Sequence, residues 1–133
     1  MERILVTGAL GLVGSELLIE LQKKFGKENV IALDIGPQRP SFEGISVIGN
    51  VRDRELLKRI VDRYQISQIY HLASLLSVGS EKNPDRAWNV NIGGLKNVLD
   101  LAREKNLRVF WPSSIAVFGN TTPKKEVPQH SSF

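Results

Sequence analysis

The sequence predicts an α/β fold: a doubly wound parallel sheet of about five strands, with helices in the crossovers. Three observations carry this reading. A β-rich apolar run, Ile4-Leu5-Val6, opens onto three glycines (Gly8, Gly11, Gly14) and then onto a helically spaced apolar pattern, Leu12, Val13, Leu17, Leu18 and Leu21. Short apolar runs alternate with amphipathic stretches through most of the remaining chain. Finally, Gly8, Asp34, Asn50, Ala73 and Ser113 fall at or just past the carboxyl ends of the expected strands, the edge along which such sheets bind ligands.

Taken in order, the first strand and its glycine turn aim backbone N–H groups and the positive end of a helix dipole at a phosphate. The first glycine permits the tight turn, the second lets a pyrophosphate approach the backbone, and the third lets helix pack on strand. The spacing is Gly-x-x-Gly-x-x-Gly rather than Gly-x-Gly-x-x-Gly, so the surrounding order of elements has to carry the assignment. The first helix should end near Phe25-Gly26, where glycine serves as a cap. Asn29 to Asp34 reads as a second buried strand ending in an acid, and Asp34 lies 20 residues past Gly14. That is where a carboxylate accepts hydrogen bonds from an adenosine ribose and repels a 2′-phosphate, an arrangement that favours NAD over NADP. Arg39, in the Pro/Gly-rich loop after it, is the residue that argues for NADP.

Gly44 to Gly49 reads as a third strand, and Arg54 to Tyr64 as an amphipathic helix burying Leu56, Leu57, Ile60 and Val61, with Asp53 as its N-cap. Ser67 to Ala73 reads as a fourth strand that opens into a small-residue loop, Ser74 to Ser80. Asn83-Pro84 starts a long helix running to about Lys105. Gly93-Gly94 in its middle costs about 1 kcal/mol per glycine relative to alanine and suggests close packing there. Leu107 to Ser114 reads as a fifth strand with hydroxyls at its carboxyl end. Residues 1–119 form one Rossmann-type domain in this reading, and 120–133 a polar, proline-containing tail.

The 133 residues are enough for one core, and the 41% hydrophobic and 24% charged content is ordinary for a globular protein. Without cysteine there are no disulfides or thiolate metal sites, and no metal site is expected. Met1-Glu2-Arg3 leads into a strand without a signal-peptide core, and no apolar run is long enough to span a bilayer. A cytoplasmic protein without membrane partners is the expectation. The net charge of +4 is spread over basic residues that mostly neighbour acids, not gathered in a stripe interleaved with aromatics. A nucleic-acid partner is therefore not expected. His71, at a buried strand end, reads as a core histidine, and Trp88 and Trp111 as packing residues.

These residues resemble the extended short-chain dehydrogenases/reductases, the group that includes nucleotide-sugar epimerases, and within it the short-chain type of L-threonine 3-dehydrogenase. The stretches that carry the resemblance are Ile4 to Gly11, Tyr70-His71-Leu72-Ala73, Leu75-Leu76-Ser77, Gly79 to Pro84, Ala87 to Asn91 and Trp111 to Gly119. Epimerases usually show Val-Tyr-Gly where this chain has Val117-Phe118-Gly119, which favours the threonine dehydrogenase side. The resemblance implies NAD as cofactor, with its pyrophosphate on Gly8, Leu10, Gly11, Leu12, Val13 and Gly14. It implies Asp34 and Ile35 at the adenosine ribose, Asn50 and Val51 beside the adenine, and Leu72, Ala73 and Ser74 along the nicotinamide ribose. Asn91 would buttress the site from the helix. Many relatives carry Asp where this chain has Asn50.

For the reaction, the resemblance implies Ser77 facing the substrate and Ser114 as the catalytic hydroxyl that orients the substrate oxygen, with Ser113 as the alternate. It also implies a Tyr-x-x-x-Lys pair, the tyrosine taking a proton from the substrate hydroxyl as hydride leaves the carbon. Neither Tyr64 nor Tyr70 has a lysine four residues on. The chain by itself is therefore expected to be inactive. In the resembled group the helix around Leu95, Val98, Leu99 and Ala102 pairs with a following helix in a dimer, so self-association through that apolar face and the open sheet edge, or marginal stability, is expected.

Overall fold

The computed structural model describes residues 2–75 and 81–112. Its elements are β1 (Ile4–Thr7), α1 (Leu12–Phe25), a 3-10 turn (Lys27–Asn29), β2 (Val30–Asp34), β3 (Ile45–Ile48), α2 (Arg54–Tyr64) and β4 (Gln68–His71). A helical run follows in three parts: α3 (Pro84–Trp88), a π-helical turn (Asn89–Gly93) and α4 (Gly94–Lys105), after which comes β5 (Arg108–Phe110). The strands form one sheet in the order β3-β2-β1-β4-β5, and every pairing is parallel. The Rossmann-type reading is thus correct.

The sheet is covered on both faces, which is why β1 and β2 are nearly continuous buried runs, while β4 alternates half-buried and buried residues. Ile4, Val6, Val30 and Ala32 pack under Leu18 and Leu21 of α1. From the intervening positions, Leu5, Ile31, Leu33 and Ile69 pack on the other face under Leu57, Ile60 and Val61 of α2 and Val98 and Leu101 of α4. The edge strand β3 instead alternates half-buried and exposed residues. Each helix end follows its local chemistry. The Asp53 carboxylate accepts from the Leu56 amide at 3.0 Å at the start of α2, and Asn83 accepts from the Arg86 amide at 3.1 Å at the start of α3. Gly26, at φ +93°, closes α1 by donating to the Gln22 carbonyl.

Several expectations need correcting. Leu12 and Val13 share the helical spacing of Leu18 and Leu21 but not their burial: at the start of α1 they are 88% and 64% exposed. Trp88 and Trp111 are also exposed, at 67% and 54%, and are not packing residues. On α4, Val98 and Ala102 turn inward and are buried, so of the expected set Leu99 is exposed, and along the helical run Trp88 and Ile92 are exposed with it. Asn29 belongs to the 3-10 turn before β2, where its side chain donates to the Phe25 carbonyl at 2.7 Å. β5 is shorter than its apolar run, ending at Phe110. Ser77, Ser113, Ser114 and the tail from 120 to 133 lie outside the described residues.

Candidate functional site

The site is built where β1 and β4 run out side by side. Thr7 and His71 are register partners at the carboxyl ends of the two strands. Beyond Thr7 the chain turns at Gly8 with φ +70°, and a Cβ there would sit 2.7 Å from the Ala73 nitrogen and from the Leu72 carbonyl carbon. A side chain at this position would drive the two turns apart, so glycine is required by both conformation and space. Gly11 donates to the Gly8 carbonyl at 3.0 Å and closes the turn. Gly14 packs α1 onto it, for a Cβ there would meet the Gly8 oxygen at 2.2 Å.

The start of α1 is unusually bare. Gly11 is its N-cap, no side chain caps it, and no acid lies in its first turn. The first amides of any α-helix have no acceptor within the helix. Here those of Leu12 and Val13 stand at an exposed helix start, as an anion cradle requires.

One strand over, Asp34 closes the same space. Its Oδ2 accepts from the Leu10 amide at 2.8 Å and its Oδ1 from the Ile35 amide at 2.7 Å. The carboxylate is thereby fixed between the glycine turn and the end of β2, with further lone pairs on each oxygen left over. The Asn50 side chain accepts from the Arg52 amide at 3.0 Å and shapes the loop after β3. On the β4 side, Leu72 and Ala73 donate to the Thr7 hydroxyl at 3.2 and 3.3 Å. Asn91 accepts from the Leu75 amide at 2.7 Å and donates to the Leu75 carbonyl at 3.3 Å, tying the loop to the π-helical turn. His71 is buried, and loss of hydration pushes its imidazole down to about 4.

These parts surround a half-open cavity of about 310 Å³. Of the sequence-derived residues, Gly8, Leu10 and Gly11 line it from the first turn, Asp34, Ile35, Asn50 and Val51 from the β2–β3 side, and Leu72, Ala73 and Ser74 from β4. Leu12, Val13, Gly14 and Asn91 do not line it: the first two project at the helix start, and the last two act from behind through packing and hydrogen bonds. Sequence reasoning missed Leu33, Gly49, Leu75, Val90 and Arg86 on the wall. Arg86 is a cation in the first turn of α3, and the one signal for it was that α3 begins at the ligand-binding edge of the sheet. A second cavity of about 310 Å³ lies between α1 and the β2–β3 loop, and among the described residues Leu10 is the only one the two share.

Comparison with known proteins bears on this cavity directly. Residues 4–133 match the model of the NAD dependent epimerase/dehydratase family. The chain belongs to that family. An uncharacterized epimerase/dehydratase of Staphylococcus haemolyticus is 44% identical over 134 residues, covering 98% of this chain and 42% of that protein. The structure of L-threonine dehydrogenase from Clostridium difficile superposes with a TM-score of 0.89 at 45% identity, over 98% of this chain and 42% of that one. UDP-glucose-4-epimerase from Stenotrophomonas maltophila, solved with bound NAD and formylated UDP-arabinopyranose, superposes with a TM-score of 0.84 at 26% identity, over 99% and 42%. The chain therefore spans about two-fifths of the length of the relatives it matches. NAD is the cofactor of this family, and the bare helix start, the glycine turn and the neighbouring acid fit it. No helix among the described residues is long and apolar enough to cross a membrane, and no cluster of His, Cys, Asp or Glu among them suits a metal ion.

Proposed function

We propose that this chain is the NAD-holding part of an oxidoreductase that oxidises L-threonine at its 3-hydroxyl. The observation that carries the cofactor geometry is the 2.8 Å bond from the Leu10 amide to Asp34, which sets the turn and the acid on one cavity wall. In this reading the pyrophosphate lies on the turn from Gly8 to Gly14: the Leu12 and Val13 amides point at it, while Gly8, Leu10, Gly11 and Gly14 shape the cradle, the Leu10 and Gly11 amides being held by Asp34 and by the Gly8 carbonyl. Asp34 and the Ile35 backbone take the adenosine ribose, Asn50 and Val51 flank the adenine, and Leu72, Ala73 and Ser74 line the nicotinamide ribose. Asn91 holds that last loop in place. When bound, the nicotinamide accepts the hydride. Ser114, or Ser113, orients the substrate oxygen, and Ser77 faces the substrate.

Two observations support threonine as the substrate. The threonine dehydrogenase named above is 45% identical to this chain against 26% for the epimerase, and Phe118 stands where epimerases usually carry tyrosine. The epimerase remains a second reading because its structure, with NAD bound, superposes over 99% of the chain. The 133 residues contain no Tyr-x-x-x-Lys spacing, so they hold cofactor without turning substrate over. A protein of this organisation works in the cytoplasm and pairs through the stripe at Trp88, Ile92 and Leu99.

The test is an NADH fluorescence titration of the purified chain, followed by assays for NADH formation from L-threonine and for epimerisation of a UDP-sugar. Binding without turnover is the expected result. Threonine-dependent NADH formation by the chain alone would overturn its assignment as a cofactor-holding part. Turnover of the UDP-sugar instead would favour the epimerase.

A further inference from the structure

We propose that His71 is a positioning residue of the cofactor site. As a neutral imidazole protonated on Nε2, it accepts the Thr7 hydroxyl hydrogen and so frees that oxygen's lone pairs for the Leu72 and Ala73 amides. The inference rests on the cofactor reading above for its effect on binding, but not for its geometry.

Among the described residues three groups lie within hydrogen-bond distance of the Thr7 Oγ1: the Leu72 amide at 3.2 Å, the Ala73 amide at 3.3 Å and His71 Nδ1 at 2.8 Å. A hydroxyl has one hydrogen and two lone pairs. Both amides are donors and use the lone pairs; the Leu72 N–H is shared with the Thr7 carbonyl at 3.1 Å. Among the described residues the hydroxyl hydrogen then has one acceptor in reach, and Nδ1 is the unprotonated ring nitrogen. If Nδ1 carried a proton, three donors would converge on two lone pairs, and the hydroxyl hydrogen would lose its acceptor. Thr7 and His71 are almost fully buried, so water is not on hand to make up the difference.

His71 Nε2 is buried without a hydrogen-bond partner among the described residues, so the Thr7 bond alone selects the tautomer. Gly94 of α4 lies beside the ring: a Cβ built on it would be 3.9 Å from the His71 Cε1. The low basicity of the buried ring keeps it neutral at physiological pH, as this hydrogen-bond pattern requires. What the pair fixes is the backbone of Leu72 and Ala73, both on the cavity wall and both within van der Waals range of the Gly8 turn. The histidine thus orients two backbone units without touching the ligand.

The experiment uses the whole chain. Nitrogen NMR of the His71 ring should show Nε2 protonated and Nδ1 not, and the Leu72 and Ala73 amides should be protected from hydrogen exchange. His71→Leu should expose both amides to exchange and weaken NADH binding about tenfold, the loss expected when one or two neutral hydrogen bonds go. His71→Asn, which offers a carbonyl acceptor, should recover most of that affinity, and Thr7→Val should lose it again. An Nδ1-protonated ring in the unmodified chain, or protection of both amides that survives in His71→Leu, overturns the proposal. Should the unmodified chain fail to bind NADH, the cofactor reading falls, while the tautomer and exchange measurements still decide the role of His71.

Discussion

Gly93 and Gly94 are neighbours in one helical run, with φ of −62° and −63°, and alanine at the two positions should have opposite effects. At Gly93 nothing lies within 4 Å of an added Cβ. Its substitution removes backbone entropy from the unfolded chain and should stabilise by up to about 1 kcal/mol. At Gly94 the Cβ falls 2.6 Å from Val51 Cγ2 and 3.3 Å from Val51 Cβ. Carbon atoms settle at about 3.5–4.0 Å, so the overlap with the methyl is about 1 Å. Val51 is 4% exposed and β-branched, so it has little freedom to rotate away. Overpacking of this kind costs about 1–3 kcal/mol, which outweighs the helical gain. Because Val51 also lines the cofactor cavity, Gly94→Ala should weaken NADH binding several-fold as well. Urea unfolding followed by circular dichroism, with matched slopes, gives the two stabilities, and an NADH titration gives the affinities. Equal stability of the two variants, or a Gly94→Ala chain more stable than its parent, refutes the packing argument.

Asp53→Ala removes the cap of α2 and should cost about 1 kcal/mol by thermal unfolding, with Asp53→Asn nearly neutral. Asn91→Leu breaks both bonds to Leu75, so the Leu75 amide should exchange faster and NADH affinity should fall several-fold. Acid should destabilise the fold through His71, whose ring titrates near 6.5 when unfolded and near 4 when folded. Above pH 6.5 neither state is protonated at this ring and its full stabilisation is present. As the pH falls from there toward 4, only the unfolded chain takes up the proton, removing about 3 kcal/mol. A stability–pH slope in that window that is unchanged in His71→Asn contradicts this.

The sheet was legible because both of its faces are covered. Strands such as Ile4–Thr7 and Val30–Asp34 are then apolar up to their last residue, a pattern that is hard to mistake, above all where a glycine turn follows the first. The ligand edge was legible for a related reason: Gly8, Asp34 and Asn50 each follow an apolar run at or just past the end of a strand, and Ala73 stands two residues past β4. Periodicity was less able to place helical side chains near an element's end. Leu12 and Val13 fit the apolar phase of α1 but stand exposed at its start. On α4 it could not separate the inward Val98 from the outward Leu99, which are adjacent in sequence. Nor did it distinguish Gly93 from Gly94, since that difference lies in Val51, more than 40 residues away in the chain. Asp34 was found by its place in the order of elements. That both its oxygens are already held by backbone amides is a matter of geometry that no spacing reveals.

The central claim is that the glycine turn and Asp34 form one dinucleotide cleft, and competition between NADH and NADPH for the purified chain tests it most directly. The carboxylate repels a 2′-phosphate, so NADH should bind at least about tenfold more tightly, and Asp34→Ser should erase most of that preference. NADPH binding as tightly as NADH to the unmodified chain, or a preference untouched by Asp34→Ser, would contradict it.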